Sequence, residues 1–349
     1  MSAEPISEPI AEPEQGGKKR FISTFNPVLD REIKERMRAA RSSILISVFV
    51  GLMAGVLYLI YRVALEFFQQ SGIFSGGGFT SVALGRIMFE WILGFLLMLV
   101  AFIAPGLASA SISGEKERKT LHLLQITLLR PRSIALGKLG ASTAFLLLMI
   151  VAIVPLLMVP IVLGGVNVWQ VLKSLLVITS FAVFIVAMST YFSSVARRSQ
   201  ASTVLAYLMT FLYGVVILGL LFLETFVLGS FGAEPVMQSR PVSLFVNPLV
   251  ALADAATDER SMGLEVSLLS GIAQFVDRPN DQFQEGAQLG PNGEVILQEP
   301  AEERAEPFRL PVWPVFVVLM VAATALFVML TTLRLRLPSP KFVLGKTPE

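Results

Sequence analysis

An all-α, polytopic membrane protein with six transmembrane helices is the fold class this sequence predicts, and three observations predict it. Of the 349 residues, 54% are hydrophobic and only 15% are charged, which is too apolar for an ordinary water-soluble globule. Six apolar stretches are each long enough to cross a hydrocarbon core about 30 Å thick, which takes roughly 20 helical residues. The Lys and Arg residues flanking those stretches are segregated to one side. Two amphipathic segments, one before the first span and one between the second and third, complete the expected architecture.

The first seventeen residues are acidic and proline-containing (Glu4-Pro5, Glu8-Pro9, Glu12-Pro13), with no apolar core. They read as a tail rather than a signal peptide, and residues 1–25 are expected to be a disordered cytoplasmic tail. Residues 26–41 read as a helix lying at the membrane interface. Asn26 is its cap, and Pro27 takes the first helical position, where a missing N–H costs nothing. Leu29, Ile33 and Met37 recur every four residues among Arg31, Lys34, Arg36 and Arg38, so one face can enter the lipid boundary while the cations meet headgroups. Asp30 with Lys34 and Glu32 with Arg36 add i,i+4 support. A basic topology anchor with no further role is the plainer alternative.

The spans are expected at 42–61, 87–112, 139–163, 171–195, 201–223 and 312–332, all within one membrane domain of residues 26–337, with a second cytoplasmic tail at 338–349. Gly51 and Gly55 form a Gly-x-x-x-Gly pair suited to helix contact, within the subunit or across a dimer. Pro155 and Pro160 interrupt the third span as possible kinks, used first for packing. Glu90, Lys173, Glu224, Arg62 and Arg86 lie near the outer boundary, within reach of water. No acid or base stands at mid-membrane, which argues against a proton- or sodium-driven carrier with a buried carboxylate relay.

Orientation follows from the bases. Lys18 to Arg41, Lys116 to Lys138, Arg197 and Arg198, and Arg334 to Lys346 all fall on one side, so both termini are expected in the cytoplasm of a plasma (inner) membrane. The loop at 225–310 has no lysine and is acidic, and Trp169 and Trp313 fall at the outer interface. Within that loop, residues 244–252 are apolar enough to lie on or dip into the outer interface, and 266–276 can form another short helix. Residues 277–307 are polar, with Gly286, Gly290, Pro291, Gly293 and Pro300 breaking any regular element. The first part of the loop is expected to cap the outer exit.

The stretch from Ser113 to Pro131 is the most informative. Glu115 and Glu117 lead it, Lys116, Arg118 and Lys119 are interleaved, Thr120 follows, and then Leu121, Leu123, Leu124, Ile126, Leu128 and Leu129 recur at helical spacing before Pro131. Acids at a helix start complement the macrodipole, and proline disfavours helix in the residue before it. The pattern predicts a short amphipathic helix over 115–129. Topology retention by its bases is the alternative.

Three segments carry a resemblance: Asn26-Pro-Val-Leu-Asp-Arg-Glu-Ile-Lys-Glu-Arg-Met-Arg, Gly114-Glu-Lys-Glu-Arg-Lys-Thr-Leu-His-Leu-Leu, and Leu136-Gly-Lys-Leu. In these the chain resembles the permease subunits of type-2 ATP-binding-cassette (ABC) exporters, from Asn26 to about Leu337. The resemblance implies a permease that dimerises with a second copy or a paralogue and binds cytoplasmic ABC ATPase subunits. It implies that 114–129 is the coupling helix receiving the ATPase motion, with Gly114, Glu115, Glu117, Arg118, Thr120, Leu121 and Leu124 as coupling residues. It also implies that 26–38 is a membrane-parallel helix packed close by. The size and acidity of the loop at 225–310 depart from the family pattern.

The chain itself carries no nucleotide loop, which requires Gly-x-x-x-x-Gly-Lys-Ser/Thr. Arg118 rather than glycine precedes Lys119-Thr120, and Leu139 rather than a hydroxyl follows Gly137-Lys138. ATP and Mg are therefore expected in the partner subunit, and no cofactor in this chain. With no cysteine and His122 as the single histidine, thiol chemistry and a His/Cys metal cluster are excluded, and no catalytic residue is assigned. The expected partners are the ATPase, a second permease and membrane lipid, with no nucleic acid. A non-transporting membrane scaffold that recruits another cytoplasmic protein is the main alternative, and a membrane hydrolase a distant third.

Overall fold

The structure, a computed structural model, describes residues 29, 32–34, 40–70, 81–120, 131–223, 242–257, 288–289, 295–296 and 311–336. Six helices in it are long and apolar enough to cross a membrane. Span 1 is Ala40–Gln70, span 2 Ser81–Ala108, span 3 Pro131–Val162, span 4 Val168–Val195, span 5 Ser199–Phe222 and span 6 Val312–Arg336. A short helix, Ala110–Glu117, continues span 2 beyond a break at Ser109. Apart from one pair of two-residue strands, every regular element among the described residues is helical.

Two ends of the bundle are distinguished by what meets there. Span 2 runs into the short helix at the end where spans 4 and 6 finish and spans 3 and 5 begin, and this end carries Arg118, Lys119, Arg132, Arg197, Arg198 and Arg334. We call it the basic end. At the opposite, far end, the turn between spans 3 and 4 packs on the start of span 2.

Most boundaries extend past the apolar stretches that locate them. Span 3 starts at Pro131, eight residues before the expected 139, because proline suits a first helical turn and the intervening Lys138 is neutralised by carboxylates rather than left in lipid. The helix then runs unbroken through Pro155 and Pro160, so neither interrupts it. Transmembrane helices tolerate proline where neighbours and local adjustment satisfy the freed carbonyl.

Span 4 is the axis of the bundle. In its most apolar window 67% of residues are buried, against 17% in span 1 and 11% in span 5. Val177, Ile178, Ile185 and Val186 pack with Phe89, Ile92 and Leu96 of span 2, Met149 and Ile153 of span 3, and Phe316 and Met320 of span 6, in one continuous core. The outward faces of spans 1 and 5 stay apolar, through Ile44, Val48, Val204 and Phe211, as a lipid solvent requires. Gly51 and Gly55 are exposed, with nothing within 4 Å of an added methyl, so among the described residues their pairing face is not used.

At the far end, backbone lies on backbone. A methyl on Gly165 would stand 2.2 Å from the Val82 carbonyl oxygen and 2.6 Å from the Arg86 amide nitrogen, and one on Gly85 would stand 2.9 Å from the Pro160 oxygen. Asn167 then caps span 4: its side chain accepts from the Trp169 amide at 3.3 Å, and the Gln170 side chain accepts from the Asn167 amide at 2.7 Å. Arg86 and Glu90, expected to reach water, are instead buried and paired at 3.1 Å. The i,i+4 spacing lets each charge neutralise the other inside the bundle. Arg62 and Glu66 make the equivalent pair in the open, at 3.4 Å.

The loop segment expected at the interface packs among the spans. A 3-10 turn, Val242–Val246, leads into a helix, Pro248–Ala256, whose Val250, Ala251, Leu252, Ala253 and Ala255 are buried against spans 2, 4 and 6. Asn247 caps it, accepting from the Leu249 amide at 2.9 Å, with Pro248 at the first position. The Tyr213 hydroxyl donates to the Val246 carbonyl at 2.7 Å, and Asp254 accepts from the Trp313 amide at 2.9 Å, capping span 6. Further on, Gln288–Leu289 pairs antiparallel with Val295–Ile296, where no regular element was expected. Gly290, Pro291 and Gly293 lie between these strands in sequence, so the breakers separate two paired strands rather than abolishing them. The helix expected at 266–276 lies outside the described residues.

Because backbone atoms cannot yield, Gly165→Ala is expected to cost about 2–3 kcal/mol of stability, whereas Gly94→Ala, with nothing within 4 Å, should be neutral or slightly stabilising. Thermal unfolding of the two purified variants in detergent checks both.

Candidate functional site

The break after Ala108 creates the site. Pro105 within span 2 has no N–H to donate, and at Ser109 the helix is interrupted and restarts as Ala110–Glu117 with no side-chain cap of its own. Two of its buried first-turn amides are taken by another helix: Ser193 Oγ of span 4 accepts from Ile112 N at 3.0 Å and from Ser113 N at 2.9 Å. Ser193 then donates to Ser113 Oγ at 3.2 Å, and Ser113 to the Ser109 carbonyl at 3.1 Å. Span 5 closes the seam through Ser109 Oγ with Thr203 Oγ1 at 2.9 Å and through Ser202 Oγ donating to the Ser109 carbonyl.

Three consecutive side chains of the short helix then reach three different spans. Glu115 accepts from Lys138 Nζ of span 3 at 2.7 Å, and the same ammonium donates to Glu32 at 3.0 Å. Lys116 Nζ donates to the carbonyls of Ser194 and, at 3.2 Å, Ala196, where span 4 ends. Glu117 accepts from the Ser199 amide at 3.3 Å and from the Ser199 hydroxyl, where span 5 begins. Arg198, the residue before span 5, offers no cap of its own. A cation thus sits at a helix C-terminus and an anion at a helix N-terminus, both in the sense the macrodipoles favour.

The acids are not at a helix start as expected. Glu115 and Glu117 occupy the last turn of a helix that runs in from span 2, and Arg118 is its C-cap. Their unfavourable place on their own dipole is offset by contacts across the bundle with Lys138 and Ser199. Lys119 follows with φ 60°, a left-handed conformation that turns the chain, and the Thr120 hydroxyl and amide both bond the Glu115 carbonyl.

The expected coupling residues divide accordingly. Gly114, Glu115, Glu117, Arg118 and Thr120 come together on the short helix and its turn, with Arg118 and Thr120 exposed. Leu121 and Leu124, with the rest of 121–130, lie outside the described residues. So do Asn26, Pro27 and Met37 of the interfacial segment. Leu29 packs on span 3, where a methyl on Gly140 would meet its Cδ1 at 2.9 Å, and Ile33 is half-buried. With the Glu32–Lys138 bond, this brings the interfacial segment against the start of span 3, beside Glu115.

Sequence reasoning missed Lys138, Lys116, Ser193 and Ser199 as parts of this site. Each carried a signal: Lys138 stands alone in a run of apolar and small residues, and serines gather at 109, 111, 113, 193, 194, 199 and 202. Among the described residues no group of His, Asp and Glu could hold a metal ion.

This geometry is that of a membrane unit whose spans are gathered by a short helix at its basic end. A profile described as ABC-2 family transporter protein matches residues 27–336. The chain belongs to the ABC-2 transporter family. It is accordingly a membrane permease component of an ABC transporter, the class in which a separate ABC ATPase subunit is the partner. The match runs from the interfacial segment to the last residue of span 6, so the short helix, Lys138 and the far-end helix Pro248–Ala256 all belong to the matched region. A comparison with curated proteins finds no match.

Lys138 is 3% exposed and its two carboxylates 22% and 23%, so its removal leaves acids with little water to turn to. For the ABC-2 protein, Lys138→Met is expected to cost about 3 kcal/mol, the lower end of the range for breaking a buried pair. Adding Glu32→Gln and Glu115→Gln should restore most of that loss, as thermal unfolding in detergent would show.

Proposed function

We propose that this chain is the permease subunit of an ABC exporter in the plasma (inner) membrane, with both termini and its basic end in the cytoplasm. In this reading it moves an apolar or amphipathic substrate when a separate ATPase subunit closes on ATP and Mg. The observation that carries the reading is the reach of Glu115, Lys116 and Glu117 to spans 3, 4 and 5 from one short helix. A partner that displaces residues 114–129 acts on half of the bundle at once.

Several features support the finer parts. The Lys and Arg residues collect at the end that the positive-inside rule puts in the cytoplasm. Exposed Arg118, Lys119 and Thr120 offer the surface a cytoplasmic partner would meet. The outward Gly51–Gly55 face of span 1 suits close contact with a helix of a second permease. At the far end, the buried helix Pro248–Ala256 would cap the exit, held by Tyr213 and by Asp254. Glu90 is paired with Arg86 rather than standing alone in the bundle, which favours an energy source outside the membrane.

Co-purification tests the class. A nucleotide-binding subunit whose ATP hydrolysis depends on this chain is expected, and capture of an unrelated protein without hydrolysis would support a scaffold instead. Glu115→Ala with Glu117→Ala is expected to insert normally but to lower the chain-dependent hydrolysis about tenfold, a coupling loss of roughly 1.4 kcal/mol. Unaltered hydrolysis in that variant would refute the assignment of roles.

A further inference from the structure

The polar contacts at the basic end are not of one kind. Those joining the short helix to spans 4 and 5 engage backbone groups: Ser193 accepts from the amides of Ile112 and Ser113, while Lys116 donates to the carbonyls of Ser194 and Ala196. Glu117 holds Ser199, and Ser109 is tied to Ser202 and Thr203. Such a network fixes orientation as well as distance. The link to span 3 is instead an ion pair between long side chains, Glu115 with Lys138, and that ammonium is shared with Glu32. An ion pair of this sort tolerates displacement. Above the seam, Pro105 removes one helical hydrogen bond from span 2, a point where a helix bends most readily.

We propose that residues 109–117 and 193–203 form one rigid block, so that motion delivered to the short helix carries the ends of spans 4 and 5 with it while span 3 slides past. Ser193 and Lys116 are then positioning residues for transmission, since each acts by fixing the attitude of another helix. The transmission part rests on the exporter reading above, and the block itself does not.

The absence of cysteine makes the test direct. Lys116 bonds none of the amides of Ile112, Ser113 and Ser199, so separate contacts would leave their hydrogen exchange unaltered in Lys116→Met. A single block predicts that all three exchange about fivefold faster or more in the chain alone in detergent, with Lys116→Arg restoring them. Unaltered exchange at the three amides overturns the block. In the complex with the ATPase, the Ser109→Cys, Thr203→Cys variant should hydrolyse ATP equally with its disulfide formed or reduced, because the bond joins parts that already move together. Loss of hydrolysis on oxidation, recovered on reduction, would show that these parts must separate and would overturn the inference. Hydrolysis that ignores the chain even in the reduced sample instead removes the exporter reading, and the exchange result still decides whether the block exists.

Discussion

Helix ends inside an apolar bundle are the constraint on which this structure turns. The first amides and last carbonyls of a helix have no partner within it, and lipid supplies none. Here the ends are satisfied across the bundle: Ser193 serves the short helix, Lys116 the end of span 4, Glu117 the start of span 5 and Asp254 the start of span 6. Each such cap ties two elements distant in sequence. The same contacts that remove an orphaned amide therefore also fix how the spans sit against one another, and the functional site is the place where these ties are densest.

Charge follows the same logic. A lone ionised group in the bundle would be expensive, and the structure answers with pairing rather than exclusion. Arg86 and Glu90 neutralise each other on one helix, whereas Lys138 draws in carboxylates from two other segments. The first arrangement is local and holds wherever span 2 goes. The second joins the segment of Glu32, the short helix and span 3 through one ammonium, so it depends on the tertiary arrangement.

The two ends of the bundle are built differently. At the far end Gly85 and Gly165 let backbones touch, and the helix Pro248–Ala256 fills the space among spans 2, 4 and 6 with small side chains. Between the ends, Phe181, Phe184 and Tyr213 stack across spans 4 and 5, and Phe184 and Tyr191 meet Phe327 of span 6. Close packing of that kind has little freedom. The basic end relies on hydroxyls and long charged side chains.

The all-α class, the six spans and the segregation of bases were legible from the residues, because apolar length and charge placement act locally. Residues 114–120 also stood out as a charged segment with helical character. The helix direction there was not legible: the acids read as a helix start because sequence alone does not reveal that the helix runs on past its apolar end at Ile112 to Glu117. Arg86 and Glu90 likewise read as boundary charges, since burial depends on neighbours the sequence does not place. Sequence by itself determined which segments are helical and apolar, from side-chain chemistry and period. Only the tertiary structure decided which helix end each polar group serves, because a donor and its acceptor on different spans are joined by three-dimensional distance and direction.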